Sequence, residues 1–247
     1  MIRLAERGVH AVLLDIEGTT TPIAFVHDVL FPFARKRLAD FLVTHWHGQD
    51  TDEIRRRLVG EHAADLAGGA NPPGLSAADD NHAAASLAAY AGWLMDRDRK
   101  SPGLKQLQGL VWLDGYRAGA LHGDVYADVP VAMQRWVTAG VRIAIYSSGS
   151  ELAQRLLFES TGHGDLTPVI DAFFDTAVGA KVEAASYRRI AAMLERPAGE
   201  ILFVSDVPRE LAAARDAGMA VVLSLRPGNP LVDVAGFETV RTFDEIV

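Results

Sequence analysis

Two acids, Asp15 and Glu17, stand directly after the apolar run AVLL (11–14) and just before Gly18. An apolar run that breaks into carboxylates and a glycine reads as a buried strand delivering acids to the edge of a sheet, where α/β proteins bind ligands. Three further polar stations follow. VRIAIY (141–146) ends in Ser147, Ser148 and Gly149; ILFVS (201–205) ends in Asp206, with Glu210 four residues on; KVEAASY (181–187) puts Lys181 at an expected helix N-terminus. A hydroxyl at a strand end, beside a tight turn, grips a phosphate oxygen together with backbone N–H groups. A lysine near a helix N-terminus opposes the helix dipole, and a bound phosphate would justify that placement. Together the stations offer a nucleophile or metal ligand, a second acid, a hydroxyl, a lysine and another metal-binding acid.

This set suits phosphoryl transfer through a carboxylate. Such a nucleophile is weak until Mg²⁺ and a cation neutralise the approaching phosphate dianion, after which it forms an acyl-phosphate that water splits. Asp15 would attack. Glu17 would protonate the leaving oxygen and then deprotonate the hydrolytic water. Lys181 and Ser147 would hold the phosphoryl oxygens as charge spreads onto them. Magnesium takes six oxygens and keeps several waters, so Asp15, Asp206 and a backbone carbonyl near Glu17 suffice as protein ligands. Taken singly, each residue has a plainer reading. Asp15 could be a turn acid, Asp206 a helix cap, Ser148 a turn residue and Lys181 a surface lysine. The order of all the stations favours chemistry. Glu210 stays open between orienting metal-bound water and lying exposed on a helix. His45 and His47, in HWH, are expected on the surface rather than on a metal, because residues two apart on a helix point in different directions.

Positioning these groups takes a parallel sheet. Short apolar runs recur at 11–14, 141–146, 201–204 and 219–225. Between the last three lie ELAQRLLFES (151–160), VEAASYRRIAAMLE (182–195) and RELAAARDAGM (209–219), each with apolar residues at three- and four-residue spacing. Strand–helix alternation of this kind predicts an α/β, Rossmann-like core. Residues 24–128 break the rhythm with four helical stretches, loop signals such as NPPG (71–74) and nearly no strand pattern. The expected organisation is a catalytic core of residues 1–23 and 129–247 with an inserted all-helical cap, 24–128, over the sheet's carboxyl edge.

Composition narrows the ligand class. The chain has 247 residues, 24 basic against 32 acidic, for a net charge of −8, which argues against nucleic acid or an anionic membrane as partner. The absence of cysteine excludes disulfides, thiolate catalysis and cysteine-ligated metal centres. MIRLAERGVH mixes charges with apolar residues and does not read as a signal peptide, and no run approaches the roughly 18 apolar residues of a spanning helix. A cytoplasmic monomer acting on a small soluble ligand is the expected form.

The order hydrophobic-DxxGT, hydrophobic-S, K, hydrophobic-D over 15, 147, 181 and 206 resembles the haloacid dehalogenase superfamily of aspartyl phosphatases. Glu17, where most such phosphatases carry Asp, stands in DIEGTTTPIAFV (15–26). With FPFARKRL (31–38), KQLQGLVW (105–112), YSSGS (146–150), FFDT (173–176), KVEAASYRRIA (181–191) and VVLSLRPGNP (221–230), it is similar to the acireductone synthase family. The resemblance implies a bifunctional Mg²⁺ enzyme, with one ion per subunit, acting in methionine salvage. It would enolise 2,3-diketo-5-methylthiopentyl 1-phosphate and then remove the phosphate to leave an acireductone. By residue match, Asp15, Glu17 and Asp206 fall on the metal site, and Ser147, Ser148 and Lys181 on the substrate phosphate site. Ser205 stands where threonine is expected, a change that keeps the hydroxyl. Trp112, Phe25 and Phe31 would either line a thioether pocket or, the favoured reading, form cap core. Lys105 and Gln108 stay open between substrate contact and solvent. The rival readings are another Mg²⁺-dependent phosphatase of the superfamily and a catalytically silent binding module. A true dehalogenase needs neither Mg²⁺ nor an acid at Glu17.

Overall fold

A computed structural model describes residues 1–234 and 236–247. They gather into two units, 1–27 with 121–247 and 28–120, so the second is inserted into the chain of the first. The breaks lie at 27/28 and 120/121, whereas composition placed them at 23/24 and 128/129. The first break falls inside a helical segment, Phe25–Leu30.

The first unit is built on a parallel sheet of six strands. Their order is β3 (Ala172–Phe174), β2 (Arg142–Tyr146), β1 (Ala11–Leu14), β4 (Ile201–Ser205), β5 (Ala220–Ser224) and β6 (Thr239–Val240). β1, β2, β4 and β5 are the four apolar runs. β3 and β6, three and two residues long, are too short to leave a periodic trace. All four β1 residues are fully buried, which explains why the run is uniformly apolar. Ala11 and Leu13 of β1 join Tyr146, Phe203 and Leu223 in one packed cluster with Tyr187, Ile190, Leu211 and Ala214 from two of the flanking helices. Val12 and Leu14 point to the opposite face by strand alternation. The flanking helices are α5 (Asp128–Thr138), α6 (Glu151–Glu159), α7 (Ala184–Met193) and α8 (Pro208–Asp216).

The inserted unit holds α1 (Phe31–Thr44), α2 (Gln49–Ala67), α3 (Asp80–Met95) and α4 (Pro102–Arg117). Two of these helices start on side-chain caps. Asp79 accepts from the His82 N–H at 2.9 Å, and Ser101 from the Leu104 N–H at 2.9 Å, with Pro102 at the first helical position. Leu38, Leu42, Leu58, Leu87, Leu94 and Leu107 fill its interior. Among the described residues, no helix is long and apolar enough to cross a membrane.

Candidate active site

The sheet order reverses at β1, with β2 on one side and β4 on the other, and in open parallel sheets a crevice forms beyond the carboxyl ends at such a switch point. Asp15, Asp206 and Ser147 are the residues immediately after β1, β4 and β2. The ladder fixes their level: the Asp15 N–H donates to Val204 O at 3.0 Å and the Ser147 N–H to Phe174 O at 3.1 Å.

The chain after β1 folds back in a tight loop. Amides of Thr19, Thr20 and Thr21 all donate to Ile16 O, at 3.1, 2.9 and 2.9 Å, and the Gly18 N–H donates to Thr21 O at 2.8 Å. Gly18 has φ +72°, the left-handed region, and a Cβ built there would overlap the Asp206 carboxylate and Asn229 Nδ2. Glycine at 18 is therefore demanded by the backbone and by close approach.

Lys181 lies at the centre of the charges. Its Nζ is 2.6 Å from Asp15 Oδ1 and 2.6 Å from Glu210 Oε2, with all three side chains buried. The Ile16 N–H also donates to Asp15 Oδ1, at 2.8 Å, whereas Oδ2 has Ser205 Oγ at 3.3 Å. That hydroxyl also reaches Glu210 Oε2, at 3.2 Å, and accepts from the Val207 N–H at 3.1 Å. Burial alone would lower the Lys181 pKa, but the charges of Asp15 and Glu210, with their hydrogen bonds, outweigh it and raise it. Burial and then the charge of Asp15 push Glu210 up, with Lys181 pulling it back. Asp206 is pushed up to about 7, chiefly by burial, then by the charges of Asp15 and Glu210.

Two sequence expectations change here. Lys181 precedes Glu183, the N-cap of α7, so it lies outside the helix and its placement owes little to the helix dipole. It is held by two carboxylates, with Tyr187 Oη donating to its carbonyl at 2.7 Å. Glu210, open between two roles, is buried on α8 as the second partner of Lys181.

The remaining residues are less tightly gathered. Ser147 is buried, and its Oγ accepts from the Gly149 N–H at 3.3 Å in a turn that Gln154 Nε2 braces through Gly149 O (3.0 Å) and Phe174 O (2.9 Å). Ser148 is exposed in that turn. Glu17 is half-exposed and its Oε1 pairs with His27 Nε2 at 2.9 Å; burial raises its pKa and the His27 charge opposes the rise. Phe25 is buried. In the inserted unit, the Trp112 indole N–H donates to Leu30 O at 2.9 Å and the ring lies 6.2 Å from Phe31; Gln108 is buried and Lys105 half-buried on α4. His45 stacks on Phe41 at 4.3 Å and His47 pairs with Asp80 at 3.0 Å, both exposed.

Two residues that sequence reasoning passed over complete the crevice. Asn229 Nδ2 donates to Gly18 O at 2.8 Å and to Asp206 Oδ2 at 3.3 Å. Arg226, buried, donates from Nε to Thr19 O at 2.9 Å and from Nη1 to Asp128 Oδ2 at 2.7 Å. The visible signal was the turn RPGN (226–229) at the carboxyl end of a strand, with a cation and an amide flanking Pro-Gly.

The donor set fits a small hard cation. Asp15 and Glu210 pair with Lys181, the charge of Asp15 raises the Asp206 pKa, and among the described residues Asp206 Oδ1 is buried with no hydrogen-bond partner. Among the described residues, however, no three His, Asp or Glu side chains converge as a metal cluster. The carboxylate of Glu17 pairs with His27, which leaves the backbone carbonyl near Glu17 as the expected third ligand. What stays available is two carboxylates with backbone carbonyls, the donor number Mg²⁺ accepts while keeping its waters.

Residues 9–218 match the haloacid dehalogenase-like hydrolase family. The enolase-phosphatase E1 of Synechococcus elongatus is 48% identical over 97% of this chain and 98% of its own. Nearly the whole length of the two chains is thereby shared. The chain belongs to the enolase-phosphatase E1 family of haloacid dehalogenase-like hydrolases. A second enolase-phosphatase E1, from Drosophila melanogaster, is 43% identical over 97% of this chain and 93% of its own. The UTR4 protein of Saccharomyces cerevisiae, a crystal structure, superposes with a TM-score of 0.76 at 35% identity, covering 96% of this chain and 99% of that one.

Proposed function

We propose that the chain is a bifunctional enolase-phosphatase of methionine salvage. It converts 2,3-diketo-5-methylthiopentyl 1-phosphate to its enol phosphate and then to 1,2-dihydroxy-3-keto-5-methylthiopentene and phosphate. The observation that carries the phosphatase half is the buried Asp15–Lys181–Glu210 chain at the switch point, a carboxylate nucleophile with a cation 2.6 Å from it.

In this reading Asp15 attacks phosphorus in line. The bond from phosphorus to the ester oxygen breaks, and Glu17 gives that oxygen a proton. Water then attacks the phosphorus of the acyl-phosphate, Glu17 takes its proton, and phosphate leaves with Asp15 restored. Lys181 shifts its hydrogen bond from Asp15 to a phosphoryl oxygen as the dianion arrives, with Glu210 keeping the ammonium in place. Ser147 and Ser148 hold further phosphoryl oxygens. Asp15, Asp206 and the backbone carbonyl of Glu17 would hold one Mg²⁺, which when bound offsets the negative charge of the carboxylates and the phosphate. For the enolisation, the proton leaves the carbon that bears the phosphate ester, and Glu17 is the acid assigned to take it. The inserted helical unit serves as cap, and the enzyme works as a cytoplasmic monomer on a small phosphorylated diketone.

The test is to supply the diketone phosphate with Mg²⁺ and follow enol absorbance and free phosphate together. A transient enol followed by stoichiometric phosphate is expected. Phosphate without acireductone would identify a phosphatase of wider range, and no turnover of any phosphate ester a binding module.

A further inference from the structure

The crevice has two halves that sequence places far apart: the loop after β1, with Asp15 and Gly18, and the end of β4, with Asp206. One side chain bridges them. Asn229 Nδ2 reaches Gly18 O at 2.8 Å on one half and Asp206 Oδ2 at 3.3 Å on the other. Both are acceptors, so the amide nitrogen, with its two hydrogens, must face them; the orientation of this amide is fixed by its partners. The bridge works because residue 18 is glycine, since a Cβ there would overlap both Asp206 and Asn229.

The turn that carries Asn229 is itself anchored. Arg226 donates to Thr19 O at 2.9 Å, pairs with Asp128 at 2.7 Å, and lies 4.5 Å from the Tyr126 ring and 4.4 Å from the Phe243 ring. The β1 loop is thus held through two successive carbonyls, Gly18 by Asn229 and Thr19 by Arg226. Two acceptors at this bridge, Asp206 Oδ1 and Asn229 Oδ1, are buried with no partner among the described residues. Neighbouring acceptors of that kind are stabilised together by a hydrated cation, which contacts one directly and offers a water hydrogen to the other.

We propose that Asn229 is a positioning residue for the cation site, fixing Asp206 against the Gly18 carbonyl and accepting from cation-bound water through Oδ1. This rests on the Mg²⁺-dependent reading of the crevice. Residues that orient metal ligands typically carry a 10–100-fold effect on metal affinity.

The experiment uses the full chain, stripped of metal. Mg²⁺ alone is titrated by calorimetry into the wild type, Asn229→Leu and Asn229→Ala, after melting in EDTA has shown which variants are folded. Amide exchange at Gly18 and Thr19 is compared in the absence of metal. The expected result is about tenfold weaker Mg²⁺ binding and faster exchange at those two amides, with Leu13 and Val204 unchanged. Wild-type affinity and wild-type exchange in a folded variant would overturn the proposal. If the wild type itself binds no Mg²⁺, the metal-dependent reading of the crevice fails, and loop exchange alone decides whether Asn229 is a clamp.

Discussion

Replacing Glu210 tests whether Lys181 is held by two carboxylates for a purpose. At the 2.6 Å separation of Glu210 Oε2 and Lys181 Nζ, two unit charges in an effective dielectric of 20 attract by about 6 kcal/mol before desolvation is counted. Most of that offsets the cost of burying Glu210, whose pKa is raised by burial. Glu210→Gln keeps an acceptor at nearly the same place and turns a charge-assisted hydrogen bond into a neutral one, a loss of about 1–2 kcal/mol. Glu210→Ala leaves the buried ammonium short of a partner and should cost about 3–5 kcal/mol. Urea unfolding in EDTA measures both. The catalytic consequence differs in kind. With Glu210 neutral, Lys181 binds Asp15 more tightly and yields it less readily to a phosphoryl oxygen, so kcat/KM for phosphate release should fall roughly thirtyfold in Glu210→Gln, about 2 kcal/mol. Wild-type activity in that variant, with both variants within about 0.5 kcal/mol of wild-type stability, would refute the positioning of Lys181 by Glu210.

Gly18→Ala must adopt φ +72° and displace Asp206, so it should lose about 1–2 kcal/mol of stability and bind Mg²⁺ more weakly, measured by urea unfolding and calorimetry. Arg226→Met removes the cation paired with the half-buried Asp128, which keeps the Phe243 N–H at 2.6 Å, and should destabilise by about 1–3 kcal/mol in the same unfolding assay. Chelation with EDTA should silence turnover and added Mg²⁺ restore it, because Asp15, Asp206 and Glu210 otherwise face a dianionic substrate with one ammonium to offset them; full activity in excess EDTA would assign these acids to something else.

The parts of the fold that were legible in sequence are those whose burial leaves a pattern. β1 and β4 are covered on both faces, so AVLL and ILFV are unbroken apolar runs, and the acids that follow them, Asp15 directly and Asp206 after Ser205, stand out. β3 and β6 were not legible as strands because three and two residues hold less than one informative period. Asp15, Asp206 and Ser147 could be read because each sits immediately after a strand. Glu210, Asn229 and Arg226 could not be assigned roles, since their partners lie 29, 211 and 207 residues away along the chain and no local period encodes such pairings. His27 escaped notice for the opposite reason. It lies ten residues from Glu17, but an exposed histidine in a helical stretch carries no sign that it faces a carboxylate.

The central claim is that Asp15 carries the phosphoryl group while the proton chemistry of enolisation needs no covalent bond to it. Asp15→Asn preserves shape but cannot form the acyl-phosphate. With substrate and Mg²⁺ binding first verified by calorimetry, enol absorbance and free phosphate are followed in parallel on the diketone phosphate. The account predicts that the enol phosphate accumulates and persists with no phosphate released. Release of phosphate at the wild-type rate would contradict the assignment of Asp15 as nucleophile, and absence of enol in the fully bound variant would contradict the separation of the two steps.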